Sequence, residues 1–540
     1  MTRKPSTPKL SSWLTSGAYP DATPLLLAAG LEEAGVKQIL QAYRVEDWKQ
    51  ADRNLQEMAG DPADRKALAM IVNGLLAGAA TSADPDQALN EWERFVNSGI
   101  HRLQMYQYLA VVPHVVRVLS TVFGNSPAMA QTLQRDPLLV YWIEDDRVLI
   151  RRQTRQSLTE QCQNSLAALK TLEAKSEALR RFKRREMLRI GIRDFLGEAQ
   201  VEETYTMLSE LTAVVIQAAY ELVQQDLTRR HGELQSRATT AKPRMGFCVL
   251  GMGKLGGWEL NYSSDIDLVY VYQAPSGMTQ AKHGQTSISH EEYFALLGQE
   301  LTTLLSAATA EGAMFRVDLR LRPEGSVGAL AYSVEDALHY YRTRGRTWER
   351  LAFLKALPLA GNRGVGQLLM RRLRPFVLGT PETAGDIIGS IRDLRAQIRT
   401  KITRRGEWDR HVKLGMGGIR EIEFIVQGLQ LRWGHAHPRI MDRQTLKALA
   451  KLVRMGILEK HDAKTLRESY RYLRNLEHKI QMVHELQTHV LPTLPDELVK
   501  CAIRMGAPQG TTRGQIAENF LSEYRQHTMR VHTLYQRMIG

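Results

Sequence analysis

From Leu250 the chain reads Leu-Gly-Met-Gly-Lys-Leu-Gly-Gly-Trp-Glu-Leu-Asn-Tyr-Ser-Ser-Asp-Ile-Asp-Leu, ending at Leu268. A glycine-rich turn leaves one apolar run, Phe247 to Leu250, and two aspartates open the next. Only Trp258 to Ser264 separate the last glycine from Asp265, too few residues for a crossover helix. That length excludes the dinucleotide-binding unit that Gly251-Met-Gly253-Lys-Leu-Gly256 would otherwise suggest, which needs a helix after the glycines and an acid about 20 positions on. A Walker loop is excluded as well, because Leu255 and not Ser or Thr follows Lys254. In a strand, residues i and i+2 share a face, so Asp265 and Asp267 point one way and Ile266 and Leu268 into the opposite layer. Two carboxylates on one strand face repel unless a cation lies between them, and hard divalent ions such as Mg²⁺ take such oxygens, usually with substrate phosphates. Asp-x-Asp alone also fits a solvated strand end; the glycine turn before it favours a site.

A third acid lies in a second run. Residues 315–323 alternate without a break: Phe315, Val317, Leu319 and Leu321 on one face, Arg316, Asp318, Arg320 and Arg322 on the other. This period of two predicts a strand ended by Pro323. A plain solvated ladder fits the charged face. If the run pairs beside the Asp-x-Asp strand, Asp318 completes a three-carboxylate cluster for one or two Mg²⁺. The arginines then offer forked donors to phosphate oxygens, in the pattern of metal-assisted in-line displacement.

The glycine turn, Glu-Leu-Asn-x-Ser-Ser-Asp-Ile-Asp-Leu and the order of several further segments (179–190, 315–323, 345–350 with Lys355, and 413–427) resemble the glutamine synthetase adenylyltransferase/adenylyl-removing enzymes. Those enzymes belong to the polymerase-β-like nucleotidyltransferase superfamily. The resemblance runs from about residue 175 to about 495. It implies catalytic and metal-binding roles for Asp265, Asp267 and Asp318. It also implies nucleotide or phosphate contacts from Gly251, Gly253, Lys254, Ser264, Arg316, Arg320, Arg322, Arg350 and Lys355. Lys254 departs from the wider superfamily, where Gly or Ser usually follows the matching glycine. Family members resemble a tandem of two such domains, and one is present here. Its Asn261-to-Asp267 form is similar to the N-terminal copy, which removes AMP. The implied substrates are adenylylated glutamine synthetase and inorganic phosphate, with ADP or ATP as the nucleotide, Mg²⁺ as cofactor and a PII-type signalling protein as a further partner. Two alternatives stay open: addition of AMP from ATP, and a non-catalytic nucleotide-sensing module. Roles for Arg346, Glu349, Glu421 and Glu423 are not assigned.

The 540 residues, 43% hydrophobic, are enough for two to four domains. The expected fold class is α+β and predominantly α, with a small mixed sheet in the nucleotidyltransferase domain and helical domains on either side. Residues 1–240 read as helical, 241–361 as the catalytic domain and 362–540 as a C-terminal helical bundle, entered through Gly415-Met-Gly-Gly418. Those glycines suit either an anion at a helix N-terminus or a chain bend. His435 and His437 read as loop residues without a metal role. No run of 18 apolar residues and no apolar signal core suggest a membrane or secretion. Cys162, Cys248 and Cys501 are far apart, consistent with a reducing cytoplasm. The net charge of +14 invites a nucleic-acid reading. Its sharpest cluster, Arg180 to Arg193 with seven Lys/Arg, also carries Phe182, Leu188, Ile190 and Ile192, as a partly packed helix would. The expectation is therefore no nucleic-acid partner. Every proposed catalytic residue lies before Gly361, so removal of the chain beyond about residue 440 is expected to alter regulation or solubility more than chemistry.

Overall fold

Pro62, Pro85 and Pro127 each follow a residue, Asp61, Asp84 or Ser126, whose side chain accepts from backbone N–H groups of the next turn. Such caps satisfy orphan donors, and proline at the first helical position costs no hydrogen bond. They help divide the segment from Pro24 to His231 into successive helices. The computed structural model describes residues 19–234, 245–379, 381–508 and 512–540. Residues 1–18, where a signal core was looked for, lie outside these, as does the expected boundary near residue 240. The last two helices of the segment, α1 (Leu172–Phe195) and α2 (Val201–His231), pack together. By length and composition α2 could cross a bilayer, yet 72% of its apolar window is buried inside the protein, as in a core helix.

The sheet is built from β1 (Gly246–Gly251), β2 (Ile266–Gln273), β3 (Val317–Asp318), β4 (Ala331–Ser333) and β5 (Leu357–Gly361). Its order is β3-β2-β1-β5, with β4 also paired to β2. The β1–β2 pair is antiparallel, whereas β3 and β4 run parallel to β2. The short link after the glycines allows only the antiparallel arrangement, since a parallel neighbour needs a crossover. The glycines open α3 (Gly253–Gly256), a single turn. The long helix after the polar loop, α4, spans His290–Ser306, and α5 covers Thr347–Phe353.

Alternation along the strands divides the interior in two. Phe247, Val249, Ile266, Leu268 and Tyr270 join the core formed with the N-terminal helices and α4. Cys248, Leu250, Val269 and Val271 join a second core with the helices that follow the sheet. Two of these are α6 (Ile419–Trp433) and α7 (Lys460–Gln481). Asp267 is on the Val269 face, so the C-terminal helices overlie the acid-bearing side of the sheet. The Gly415–Gly418 segment is a bend: a Cβ on Gly417 would lie 1.7 Å from the Thr528 carbonyl oxygen. The donor at Gly417 is already taken by Glu421, at 3.1 Å.

One expectation is corrected. The predicted strand over 315–323 is two residues long, because the backbone N–H of Arg320 turns back to Asp318 Oδ1 at 2.8 Å. Arg322 then donates to the carbonyls of Leu319, Ser326, Gly328 and Ala329, which coils the following segment. Side-chain bonds to nearby backbone compete with a ladder in this way.

Candidate active site

Gly253 adopts φ +54°, and a Cβ there would fall 2.4 Å from Asp267 Oδ2. Only glycine lets the turn close over that carboxylate. The Met252 N–H donates to the Asp267 carbonyl at 2.8 Å, which ties the turn to the start of β2. In the parallel pair, Asp267 stands opposite Asp318. The predicted juxtaposition of the two runs is therefore present in register. Burial, then Asp318 and Asp265, push the Asp267 carboxyl up to about 6, against the attraction of Lys413 and Arg420. Asp318 lies below its ordinary value because Arg320 donates to it.

The other two carboxylates have partners. Arg316 Nε donates to Asp265 Oδ1 at 2.9 Å, and Gln487 Nε2 to Oδ2 at 3.1 Å. Arg320 grips both oxygens of Asp318, at 2.5 to 3.0 Å. Among the described residues, no three His, Cys, Asp or Glu side chains are gathered at metal-binding spacing. The donor chemistry nevertheless suits Mg²⁺. Asp318 and Asp265 raise the cost of ionising Asp267, all three are hard oxygen donors, and the glycine turn leaves Asp267 room. Recruiting Asp318 requires Arg320 to let go. Ser264 lies beside this cluster, between the half-buried Asp265 and the buried Ser263.

Four expected phosphate contacts are committed elsewhere. Lys254 Nζ pairs with Glu477 at 2.7 Å. Lys355 Nζ pairs with Glu259 at 2.8 Å and Glu423 at 2.7 Å. Glu259 and Glu423 hold Lys355 above the usual lysine range despite the cost of burial. Arg350 Nε donates to the Val377 carbonyl at 3.1 Å, and Arg322 organises its own loop as described. Buried cations demand partners; Lys355 and Arg350 are buried and Lys254 is nearly so. They lock the turn and α5 to the helices around them. Gly251 ends β1 under the turn. Arg346 and Glu349 form the capping box of α5, and Glu421 binds Arg395 and His532.

Sequence reasoning missed the roof of the site. Arg474 Nη2 donates to the Glu259 carbonyl and to Asn261 Oδ1, both at 2.6 Å. Ser263 Oγ donates to the Glu485 carbonyl. Gln487 reaches Asp265, and Glu485 itself holds φ +51°. Arg474, Glu485 and Gln487 lie beyond position 440, so the part of the chain expected to affect regulation or solubility more than chemistry contacts the candidate site. Lys413 and Arg420 fall in a segment singled out by resemblance. No sequence signal marked Gln487.

A glycine turn closing on a half-buried aspartate, with a second acid in register on a parallel neighbour, defines a nucleotidyltransferase within an α+β, mainly helical protein. Residues 116–371 match the family described as glutamate-ammonia ligase adenylyltransferase, and residues 392–539 match the one described as GlnD PII-uridylyltransferase. Over residues 116–371 the chain is similar to the glutamate-ammonia ligase adenylyltransferase family. It is 37% identical over 427 residues to the bifunctional glutamine synthetase adenylyltransferase/adenylyl-removing enzyme of Thioalkalivibrio sulfidiphilus, covering 79% of this chain and 42% of that protein. A protein of the same name from Xanthomonas oryzae is 40% identical over 334 residues, 62% of this chain and 34% of the relative. The one from Nitrosococcus oceani is 35% identical over 429 residues, 79% and 42%. The chain thus spans less than half the length of these relatives.

Proposed function

We propose that this chain removes AMP from an adenylylated tyrosine of glutamine synthetase by phosphorolysis, releasing ADP. The observation that carries nucleotidyl transfer is the register of Asp267 with Asp318 beneath the Gly253 turn. The direction rests on the likeness of the Asn261-to-Asp267 segment to the removing copy. Asp265, Asp267 and Asp318 would hold Mg²⁺, which when bound neutralises charge on the transferring phosphoryl group. The chain's own work is positional. The Gly253 turn leaves space against Asp267, and Arg316 and Arg320 stand ready to exchange their carboxylates for phosphate oxygens. Charge placement of this kind suffices for an in-line transfer, with no nucleophilic side chain.

The match of residues 392–539 to a PII-uridylyltransferase family supports a PII-type protein as regulatory partner. Three free, buried cysteines suit a reducing cytoplasm. The test is a comparison of second substrates. With Mg²⁺, phosphate and adenylylated glutamine synthetase, the chain should release ADP and restore tyrosine. With ATP and the unmodified synthetase it should transfer little AMP. ATP-dependent labelling without phosphate-dependent release would reverse the direction.

A further inference from the structure

One cation near the site has no task in the account above. Lys183 is on α1, within the basic cluster of the N-terminal helices. Its neighbours are paired: Arg181 and Arg184 with Glu311, Arg185 and Arg189 with Glu186, and Arg193 with Glu203. Arg180 donates to the carbonyls of Gly312, Leu304 and Ala307. Among the described residues Lys183 forms neither an ion pair nor a hydrogen bond; its ammonium lies 4.9 Å from the centre of the Phe315 ring. Lys183 is half-buried, and a ring face compensates only part of the cost of withdrawing such a charge from water. Burial lowers the Lys183 pKa below the ordinary value, Glu485 opposes this, and Arg316 and Arg184 reinforce it.

Lys183 lines a cavity of about 140 Å³ with Ser263, Ser264, Phe315, Arg316 and Glu485. The Arg316 guanidinium in that wall is the one that donates to Asp265. The cavity therefore adjoins the catalytic carboxylates. Its volume is below the roughly 300 Å³ at which small-molecule pockets begin, so it suits an inorganic oxyanion and not a nucleoside. A neighbouring cavity of about 280 Å³ shares Lys183 and adds Arg135, Arg184 and His484. Among the charged residues of that wall the basic ones outnumber the acids, which are Glu485 and Glu311.

We propose that Lys183 and Arg316, with the Ser263–Ser264 edge, form the subsite for inorganic phosphate; this rests on the phosphorolytic reading above. A phosphate oxygen held there bonds to the α-phosphorus as the bond from that phosphorus to the tyrosine oxygen breaks. The proton of the hydrogen phosphate ends on the tyrosine oxygen, and the products are ADP and unmodified tyrosine.

The test uses the full chain with Lys183→Met, which keeps the length and removes the charge, and Lys183→Arg, which keeps the charge. Phosphate and adenylylated glutamine synthetase are varied separately. Lys183→Met should raise KM for phosphate about tenfold or more and leave KM for the adenylylated protein within about twofold, and Lys183→Arg should recover most of the loss. An unchanged KM for phosphate in Lys183→Met overturns the subsite, as does an equal rise for both substrates that Lys183→Arg does not rescue. Failure of the wild-type chain to release ADP with phosphate sinks the phosphorolytic reading instead. Calorimetric titration with inorganic phosphate then decides the anion site alone: binding lost in Lys183→Met upholds it, and equal binding by both proteins overturns it.

Discussion

Asp267 carries a carboxyl that burial, Asp318 and Asp265 raise from 3.8 to about 6. The unfolded chain therefore ionises at lower pH than the folded one. The stability this group contributes falls as pH rises from about 4 to about 6 and stays reduced above that. Asp267→Asn, with almost the same volume, should stabilise the fold at pH 8 in a chelator by an amount on the order of 2 kcal/mol, read as a raised melting temperature. The same change should abolish phosphate-dependent ADP release with Mg²⁺ present; a rate above about a tenth of wild type would refute the metal role. Protons also compete for this carboxylate. The Mg²⁺ concentration for half-maximal rate should climb as pH falls below about 6, and a flat profile would place the ion elsewhere. Gly253 is the matching backbone position. Gly253→Ala puts a Cβ at φ +54° against Asp267 Oδ2 and should cost about 1–2 kcal/mol as well as most of the activity. An Ala variant with wild-type rate and melting point would show that the turn relaxes freely.

The elements around the turn are held by buried ion pairs whose members sit far apart in sequence. Lys355, just after α5, serves Glu259 beyond the turn and Glu423 on α6. Lys355→Met strands both acids, and removing one partner of a buried pair costs about 3–5 kcal/mol. The urea midpoint should drop accordingly; a variant as stable as wild type but with raised KM for nucleotide would restore the phosphate-contact reading. Glu477 on α7 is drawn well below the usual carboxylate range by Lys254, His489 and Arg474, although its burial acts the other way. Local pattern revealed little of this. Lys254 and Lys355 read as phosphate cations because they flank the glycine turn and a family motif, and their acidic partners are 223 and 68 residues or more away. The strand over 315–323 shows the same limit at shorter range. Its alternation put Arg316, Asp318 and Arg320 on one face, yet Asp318 folds back on Arg320 and ends the strand after two residues.

On the scale of the whole molecule, the sheet separates two cores and presents its acids to the second. The C-terminal helices thereby cover the candidate site. A chain ending near residue 440 loses Arg474, Glu477 and Gln487, and leaves Lys254 and Asn261 without their buried partners. It should lose all ADP release and refold poorly; full activity in that truncation would remove the roof from the mechanism. Five cations of the basic helix α1 are paired within the fold with Glu311, Glu186 and Glu203, so a gel shift at physiological salt should show no sequence-selective nucleic-acid binding despite the +14 charge. The sequence by itself determined the mainly helical α+β class, the antiparallel hairpin forced by a short link, the face on which Asp267 stands, and the family likeness. Each follows from period, spacing or steric demand within a few residues. Tertiary structure alone decided which cations reach the site, how long the second strand runs, and that residues beyond 440 cover the acids. Those outcomes depend on which buried charge meets which partner across the two cores, and no local pattern carries that information.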